Sequence, residues 1–174
     1  VYVHKIKAAL EDAGYKVQLF LLNAASMGVP QKRERVFFIC QRNDLNYPKL
    51  ELKFNEKCIN TKFVLDYNSN GKKLSELENR YYKSAKQGQS VGKFLTNKKY
   101  NENKVANTIV AGSDYFHPTI ARKINDNEYK LIGSYPLDYN FKKIAPKYLI
   151  GMSVPPIMTA QIATEINKQW FKKI

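Results

Sequence analysis

The stretch from Asn23 to Cys40, NAASMGVPQKRERVFFIC, limits what this chain can become more than any other. An apolar run, Val17–Leu22, leads into it, and a second, Val36–Cys40, ends it. Gly28, Val29 and Pro30 predict a tight bend between them. Gln31, Arg33 and Arg35 then alternate. In an extended chain residues two apart share a face, so these three project to one side and Lys32 and Glu34 to the other. One planar amide and two guanidiniums are thus aimed together from the mouth of a strand. Such an array suits a planar polar ligand or an anion, because Arg carries a fixed fork of donors. It also suits a charged edge that keeps a strand soluble. The pattern by itself leaves both open.

The flanking segments read as α/β. Val3, Ile6, Leu10 and Ala13 recur at helical spacing and Gly14 is a natural stop, which predicts a helix over residues 2–13. Tyr15–Leu22 reads as a strand that ends apolar on both faces, as inside a covered sheet, and Arg35–Gln41 as the next strand. From Asn43 to Lys104 the chain is rich in Lys, Asn, Glu and Tyr, with short apolar runs. Leu74, Leu77 and Tyr81 predict one short helix there, and Ser84–Lys93 and Asn97–Lys104 are polar loops. Val105–Ala111 reads as a strand, Gly112–Pro118 as a loop, Asn127–Ile132 as a short helix and Gly133–Tyr139 as a Pro-containing turn. Near the end Ser153 can cap a helix whose first turn holds Pro155 and Pro156. Its apolar stripe would be Ile157, Ala160, Ala163, Ile166 and Trp170, packed in the core.

At 174 residues the chain makes one domain or two small ones, and 44% hydrophobic residues suffice for a core. The outlying property is charge: 29 Lys+Arg against 15 Asp+Glu gives +14. That surplus favours a polyanionic partner such as DNA, although a Lys-rich composition could arise from solubility alone. Cys40 and Cys58 form no CxxC, and His4 and His117 no cluster, so neither a disulfide framework nor a metal site is expected. Both cysteines read as structural. No apolar run approaches the ~18 residues of a membrane span, and no leader is visible, so a cytoplasmic setting is expected. The chain starts at Val1 within a helical pattern, as a fragment or processed chain would.

The wording of the first stretch is specific. Asn-Ala-Ala-x-x-Gly-Val-Pro-Gln-x-Arg-x-Arg-Val-Phe, after a Gly-Tyr-x-Val strand start, closely resembles the QxRxR motif of cytosine-5 DNA methyltransferases. Three more segments are similar to that family in the same order. NTIVAG, Asn107–Gly112, resembles an element near the end of its target recognition domain. ARKINDNEYKLIGSYPLDYNF, Ala121–Phe141, resembles its R-x-L-T-x-R-E…G-F/Y-P-x-x-Y segment through Arg122, Glu128, Pro136 and Tyr139, with Asn127 where the family usually has Arg. IGMSVPP, Ile150–Pro156, resembles its final G-N-S-V-P-P motif, with Met152 replacing Asn. The matches cover about residues 14–42 and 105–165. The family's F-x-G-x-G cofactor motif, Pro-Cys nucleophile loop and Glu-Asn-Val motif do not occur in the sequence.

The resemblance implies the C-terminal part of a Rossmann-like, S-adenosyl-L-methionine-dependent methyltransferase sheet plus a small, irregular β and loop target recognition domain. Residues 1–42 and 122–174 would belong to the catalytic domain and 43–121 to target recognition. It implies that Arg35 contacts a flipped cytosine and orders the nucleophile loop. Arg33 and Gln31 would support the same pocket, unless Arg33 serves in a salt bridge behind it. Met152, Ser153 and Val154 would line part of the cofactor pocket, the Asn-to-Met change affecting one contact. Thr108, Gln89, Ser90, Arg122, Lys98 and Lys99 would face DNA, with Gln87, Gln89 or Ser90 filling the vacated base stack and Lys72, Lys73 and Lys104 meeting phosphates. The implied partners are double-stranded DNA and an N-terminal half carrying the Cys nucleophile, and the implied setting is a restriction-modification system associated through DNA with the bacterial nucleoid. Without that half, the exposed sheet edge predicts self-association and no activity. The competing reading is a non-catalytic, sequence-specific DNA-binding module derived from such an enzyme.

Overall fold

The computed structural model describes residues 2–69 and 71–172. The two apolar runs pair directly. Strand β1 (Tyr15–Asn23) and strand β2 (Glu34–Arg42) form an antiparallel ladder from Tyr15 opposite Arg42 to Asn23 opposite Glu34. A short 3-10 turn, Ala24–Met27, follows β1. The Asn23 side chain caps it by accepting from the Ala25 N–H at 3.1 Å. Gly28 ends it with φ 78°, a left-handed conformation that a Cβ disfavours. Ala24, Met27 and Val29 are thereby driven inward.

These residues belong to a first core with Leu22, Leu50, Leu52, Met158, Ile162 and Trp170, bordered by Phe20, Phe37 and Ile39. One face of the hairpin is thus covered by helix α5 (Pro156–Ile166) and by residues 47–54. The core therefore runs past Asn43, where composition changes. The other face carries Leu19, Leu21 and Val36 into solvent. Helix α1 (Tyr2–Asp12) adjoins β1 and has no buried residue.

The final helix departs from expectation in two ways. Ser153 closes the preceding helix α4 (Pro146–Met152) instead of opening α5, whose cap is Pro155. The buried stripe is Met158, Ile162 and Trp170 with Ile166 half-buried, while Ile157, Ala160 and Ala163 face outward. The i, i+4, i+8 series holds the bulkier side chains, which fill more of the hairpin groove than alanines would. A π-helical turn, Asn167–Phe171, then brings Trp170 flat against Tyr47 at 5.5 Å, with its Nε1 donating to the Pro48 carbonyl at 3.0 Å.

A second core gathers Tyr100, Ala106, Ile109, Tyr115, Ile124, Tyr129, Ile132, Phe141 and Ile150. It unites the middle of the chain with helix α3 (Asp126–Ile132) and α4, so within residues 122–174 it is α5 that returns to the hairpin. Helix α2 (Glu76–Ser84) and α3 each begin with a reciprocal capping box, Ser75 with Glu78 and Asn125 with Glu128. Two parallel two-residue strands, β3 (Lys98–Lys99) and β4 (Tyr115–Phe116), are the regular sheet of this part. The expected strand at Val105–Ala111 is irregular. Side chains take the place of a ladder: Gln31 Oε1 accepts from Ile109 N, and Tyr115 Oη bonds both Val110 N and the Thr108 carbonyl.

Candidate functional site

The Gln31–Arg35 alternation survives folding, but the three side chains do different things. Gln31 is buried and spans two segments: its Oε1 accepts from Ile109 N at 3.2 Å and its Nε2 donates to the Ile132 carbonyl at 3.4 Å. Backbone bonds from Lys32 N to the Ala106 carbonyl (2.8 Å) and from Ala106 N to the Pro30 carbonyl (3.2 Å) reinforce the seam. Arg33 is 1% exposed. Its guanidinium donates to the carbonyls of Ile109 (3.3 Å) and Gly151 (2.9 Å), so its partners are backbone oxygens and not a carboxylate. Burial, and then the neighbouring Arg35, pull its pKa down to about 10.

Arg35 is half-buried and, among the described residues, donates to just its neighbour's carbonyl, Glu34 O, at 2.7 Å. It opens on a cleft of about 590 Å³ whose walls include Lys32, Leu95, Lys98, Thr108 and Tyr115. Glu34 adds the acidic side chain of this lining, beside three cations. Among the described residues, Lys32, Arg35 and Lys98 form no ion pair. The cleft is therefore a positive concavity with unspent donors, a fit for an anionic or carbonyl-bearing planar ligand. Thr108 Oγ1 donates to the Lys32 carbonyl, joining the two walls. Alternation placed Lys32 opposite Arg35, and Leu95 and Tyr115 carried no motif. Tertiary folding brings all three to the cleft.

The remaining residues singled out by sequence divide. Lys98 lines the cleft and donates to Ser90 Oγ at 3.0 Å, while Ser90 Oγ donates to the Leu95 carbonyl at 3.1 Å. Gln89 Oε1 is engaged by Lys86 N at 2.9 Å. Lys99 turns inward: its ammonium lies 3.8 Å from the Tyr82 ring centroid and donates to the Ala85 carbonyl, and burial lowers its pKa. Arg122, expected to face DNA, is instead buried. Its guanidinium meets both Glu128 carboxylate oxygens at 2.7 Å and also bonds the Asp66 and Lys123 carbonyls. Glu128 accepts in turn from Asp66 N and Asn125 N at 2.8 Å. The pair is a clamp across the second core, and its geometry leaves no face for a phosphate.

Met152 and Ser153 border a second hollow of about 480 Å³ walled by Tyr135, Tyr139, Phe141 and Leu149. The three aromatic rings lie 4.8–5.2 Å apart between centroids. Met152 is 64% exposed, Val154 is also exposed, and Ser153 Oγ donates to the Ile150 carbonyl. No group of His, Cys, Asp and Glu among the described residues is placed to hold a metal ion. Burial raises the Cys40 pKa, which disfavours the thiolate, and Cys58 is exposed. No helix among the described residues is long and apolar enough to cross a membrane.

Comparison with known proteins gives this geometry a context. The model of the C-5 cytosine-specific DNA methylase family matches residues 1–168. A protein of Methanocaldococcus jannaschii named as a type II methyltransferase, M.MJ0563P, is 30% identical over 95% of this chain and 56% of its own length. The type II methyltransferase M.MthTI of Methanothermobacter thermautotrophicus is 29% identical over 90% of the chain and 58% of its own length. The chain spans about half the length of these relatives. The fold is shared with a prophage-encoded E. coli protein described as a DNA modification methyltransferase, at a TM-score of 0.75, 16% identity, and coverage of 96% of this chain and 64% of that one. It is also shared with Spodoptera frugiperda DNMT2, at a TM-score of 0.69, 15% identity, and coverage of 95% and 62%. With its mixed α/β fold and a family match over nearly its whole length, the chain belongs to the C-5 cytosine-specific DNA methylase family.

Proposed function

We propose that this chain is the C-terminal, DNA-recognising portion of a cytosine-5 DNA methyltransferase of the restriction-modification type. The observation that carries the reading is the positive cleft: Arg35 is presented from a strand whose adjacent Gln31 and Arg33 are locked to distant backbone. In this reading residues 1–42 and 122–174 belong to a Rossmann-like catalytic domain and 43–121 to a target recognition domain. Gln31 and Arg33 fix the wall, and Arg35 supplies donors to a cytosine turned out of the duplex. Attack on the ring drives electron density toward its carbonyl oxygen. Fixed donors there stabilise the developing charge, and one such donor contributes about 3–4 kcal/mol. Lys32, Lys98 and Thr108 hold the neighbouring backbone or phosphate. The nucleophilic Cys and the acid that protonates the ring come from an N-terminal half, since Cys40 and Cys58 lie outside the cleft lining.

S-adenosyl-L-methionine supplies the methyl group in this chemistry. The aromatic hollow beside Met152 and Ser153 fits one side of such a group: ring faces suit a planar base or a sulfonium cation. Its walls contain no carboxylate for ribose hydroxyls, so the remaining contacts fall to the N-terminal half. That half would cover the solvent-facing Leu19, Leu21 and Val36 of the hairpin, together with Tyr2, Val3 and Ile6 of α1. Left uncovered, the same face favours self-association.

The test is complementation. The chain alone should bind duplex DNA with an affinity that falls steeply with salt, and transfer no methyl group. Mixed with an N-terminal half bearing the nucleophile loop, it should methylate cytosine. Methylation by the chain alone would overturn its incompleteness. DNA binding with no activity on mixing would favour the non-catalytic binding module.

A further inference from the structure

The most exposed large apolar side chain on the cleft belongs to Leu95, at 81%. It sits on a rigid support. Ser90 and Lys98 form an antiparallel bridge, and Val91 N donates to the Asn97 carbonyl at 3.0 Å. Val91 is buried with Tyr82, Ala85 and Phe116, which anchors the base of the loop. Gly92 turns the chain with φ 80° beside the Tyr81 ring. Asn97 N donates to the Phe94 carbonyl, and Ser90 Oγ donates to the carbonyl of Leu95 itself. The Leu95 backbone is thus held while its side chain is left bare.

A single exposed leucine is ordinary, but this one is placed beside charge. Arg35, Lys32 and Lys98 share its cleft, and Lys98 is tied to the same Ser90 hydroxyl that holds the Leu95 carbonyl. An apolar point between cations suits a duplex, whose phosphates meet the cations while its stacked bases offer apolar faces. A protein partner would bring a matching apolar socket but would leave the cations without phosphates. Gln89 and Ser90, the polar candidates for entering the stack, are spent on Lys86 N, Leu95 O and Lys98.

We infer that Leu95 is the wedge that enters the base stack of bound DNA, positioned by the Ser90–Lys98 bridge at the mouth of the Arg35 cleft. It is a positioning residue that parts the base pairs, and it rests on the proposed DNA-methylating role of the same cleft.

The experiment uses the full chain and duplexes that it selects from a randomised pool. Permanganate oxidises thymines that have lost their stacking, so it reads the wedge directly. With saturating wild-type chain, a localised reactive thymine is expected within the footprint. Leu95→Ala should abolish that reactivity and weaken binding by roughly ten-fold, with the salt slope unchanged. Leu95→Phe should retain both, because bulk and apolarity are what the stack requires. Lys98→Ala should instead lower the salt slope by about one and keep the reactivity at saturation. Wild-type reactivity in a saturated Leu95→Ala complex would overturn the wedge while leaving the DNA-binding reading intact, and so would a footprint without any reactive thymine. Failure of the wild-type chain to bind any duplex would overturn the DNA reading and the wedge with it.

Discussion

Arg33 and Arg35 stand on one face of one strand mouth, yet Arg33 is sealed against the carbonyls of Ile109 and Gly151 while Arg35 opens on the cleft. The first arginine joins segments 76 and 118 residues away in sequence, and the second is free to meet a ligand. Their removal should therefore have opposite signatures. Arg33→Ala leaves two buried carbonyls unpaired and should cost about 3 kcal/mol or more in urea unfolding. Arg35→Ala should change stability by less than about 0.5 kcal/mol. In the reconstituted enzyme it should lower methyl transfer by roughly a hundred-fold. Retention of activity within a few-fold would remove Arg35 from the chemistry.

The Arg122–Glu128 clamp yields the second prediction. Breaking one side of a buried, bidentate pair strands the other charge, so Glu128→Gln should destabilise the chain by about 3–5 kcal/mol. The double variant Arg122→Met, Glu128→Leu should recover much of that loss, since neither charge is then stranded. Because Arg122 does not face solvent, the salt slope of DNA binding should be the same in the folded double variant as in the wild type.

His117 predicts a pH dependence. It is fully buried, and its Nδ1 accepts from Thr119 N (3.3 Å) and Ile120 N (3.1 Å). Burial, then the Arg122 charge, push its pKa down from 6.5 to about 4. The unfolded chain takes up this proton first on acidification. The stabilisation is thus complete above about pH 6.5 and is lost as pH falls toward about 4, amounting to about 3 kcal/mol. Unfolding free energies measured across that window should fall less steeply for His117→Asn, whose side-chain oxygen can replace Nδ1 as acceptor.

Gly151 provides a prediction whose sign is informative. It lies within α4, where Gly→Ala ordinarily stabilises by about 1 kcal/mol. Here an added Cβ would stand 2.7 Å from Ala111 N and 2.9 Å from Ala111 Cα, both backbone atoms that cannot swing aside. Gly151→Ala should therefore lower the melting temperature, by the equivalent of about 2 kcal/mol. It should also disturb Arg33, whose acceptor is the Gly151 carbonyl.

Much of the local structure was legible in the chain. Periodicity marked α1 and both hairpin strands to within a residue or two, whereas the starts of α2 and α3 are set by the capping boxes at Ser75 and Asn125, which the apolar spacing did not show. The strand expected at Val105–Ala111 was not legible as a loop, because its β-forming residues are satisfied by Gln31, Arg33 and Tyr115 from elsewhere. The α5 stripe was rotated because spacing alone does not weigh Met158 and Ile162 against smaller residues on the adjoining face. Helix α4 is short, and the Ser153 that ends it has the same chemistry as one that begins a helix.

The sequence by itself determined the hairpin, the bend at Gly28 and the shared face of Gln31, Arg33 and Arg35, since these follow from apolar runs, backbone freedom and the two-residue repeat of a strand. Tertiary structure alone decided which of the three is buried, that Arg122 pairs with Glu128, and that Leu95 and Lys98 stand beside Arg35. Those outcomes depend on segments far apart in the chain, whose backbone carbonyls and charges become neighbours when the two cores close.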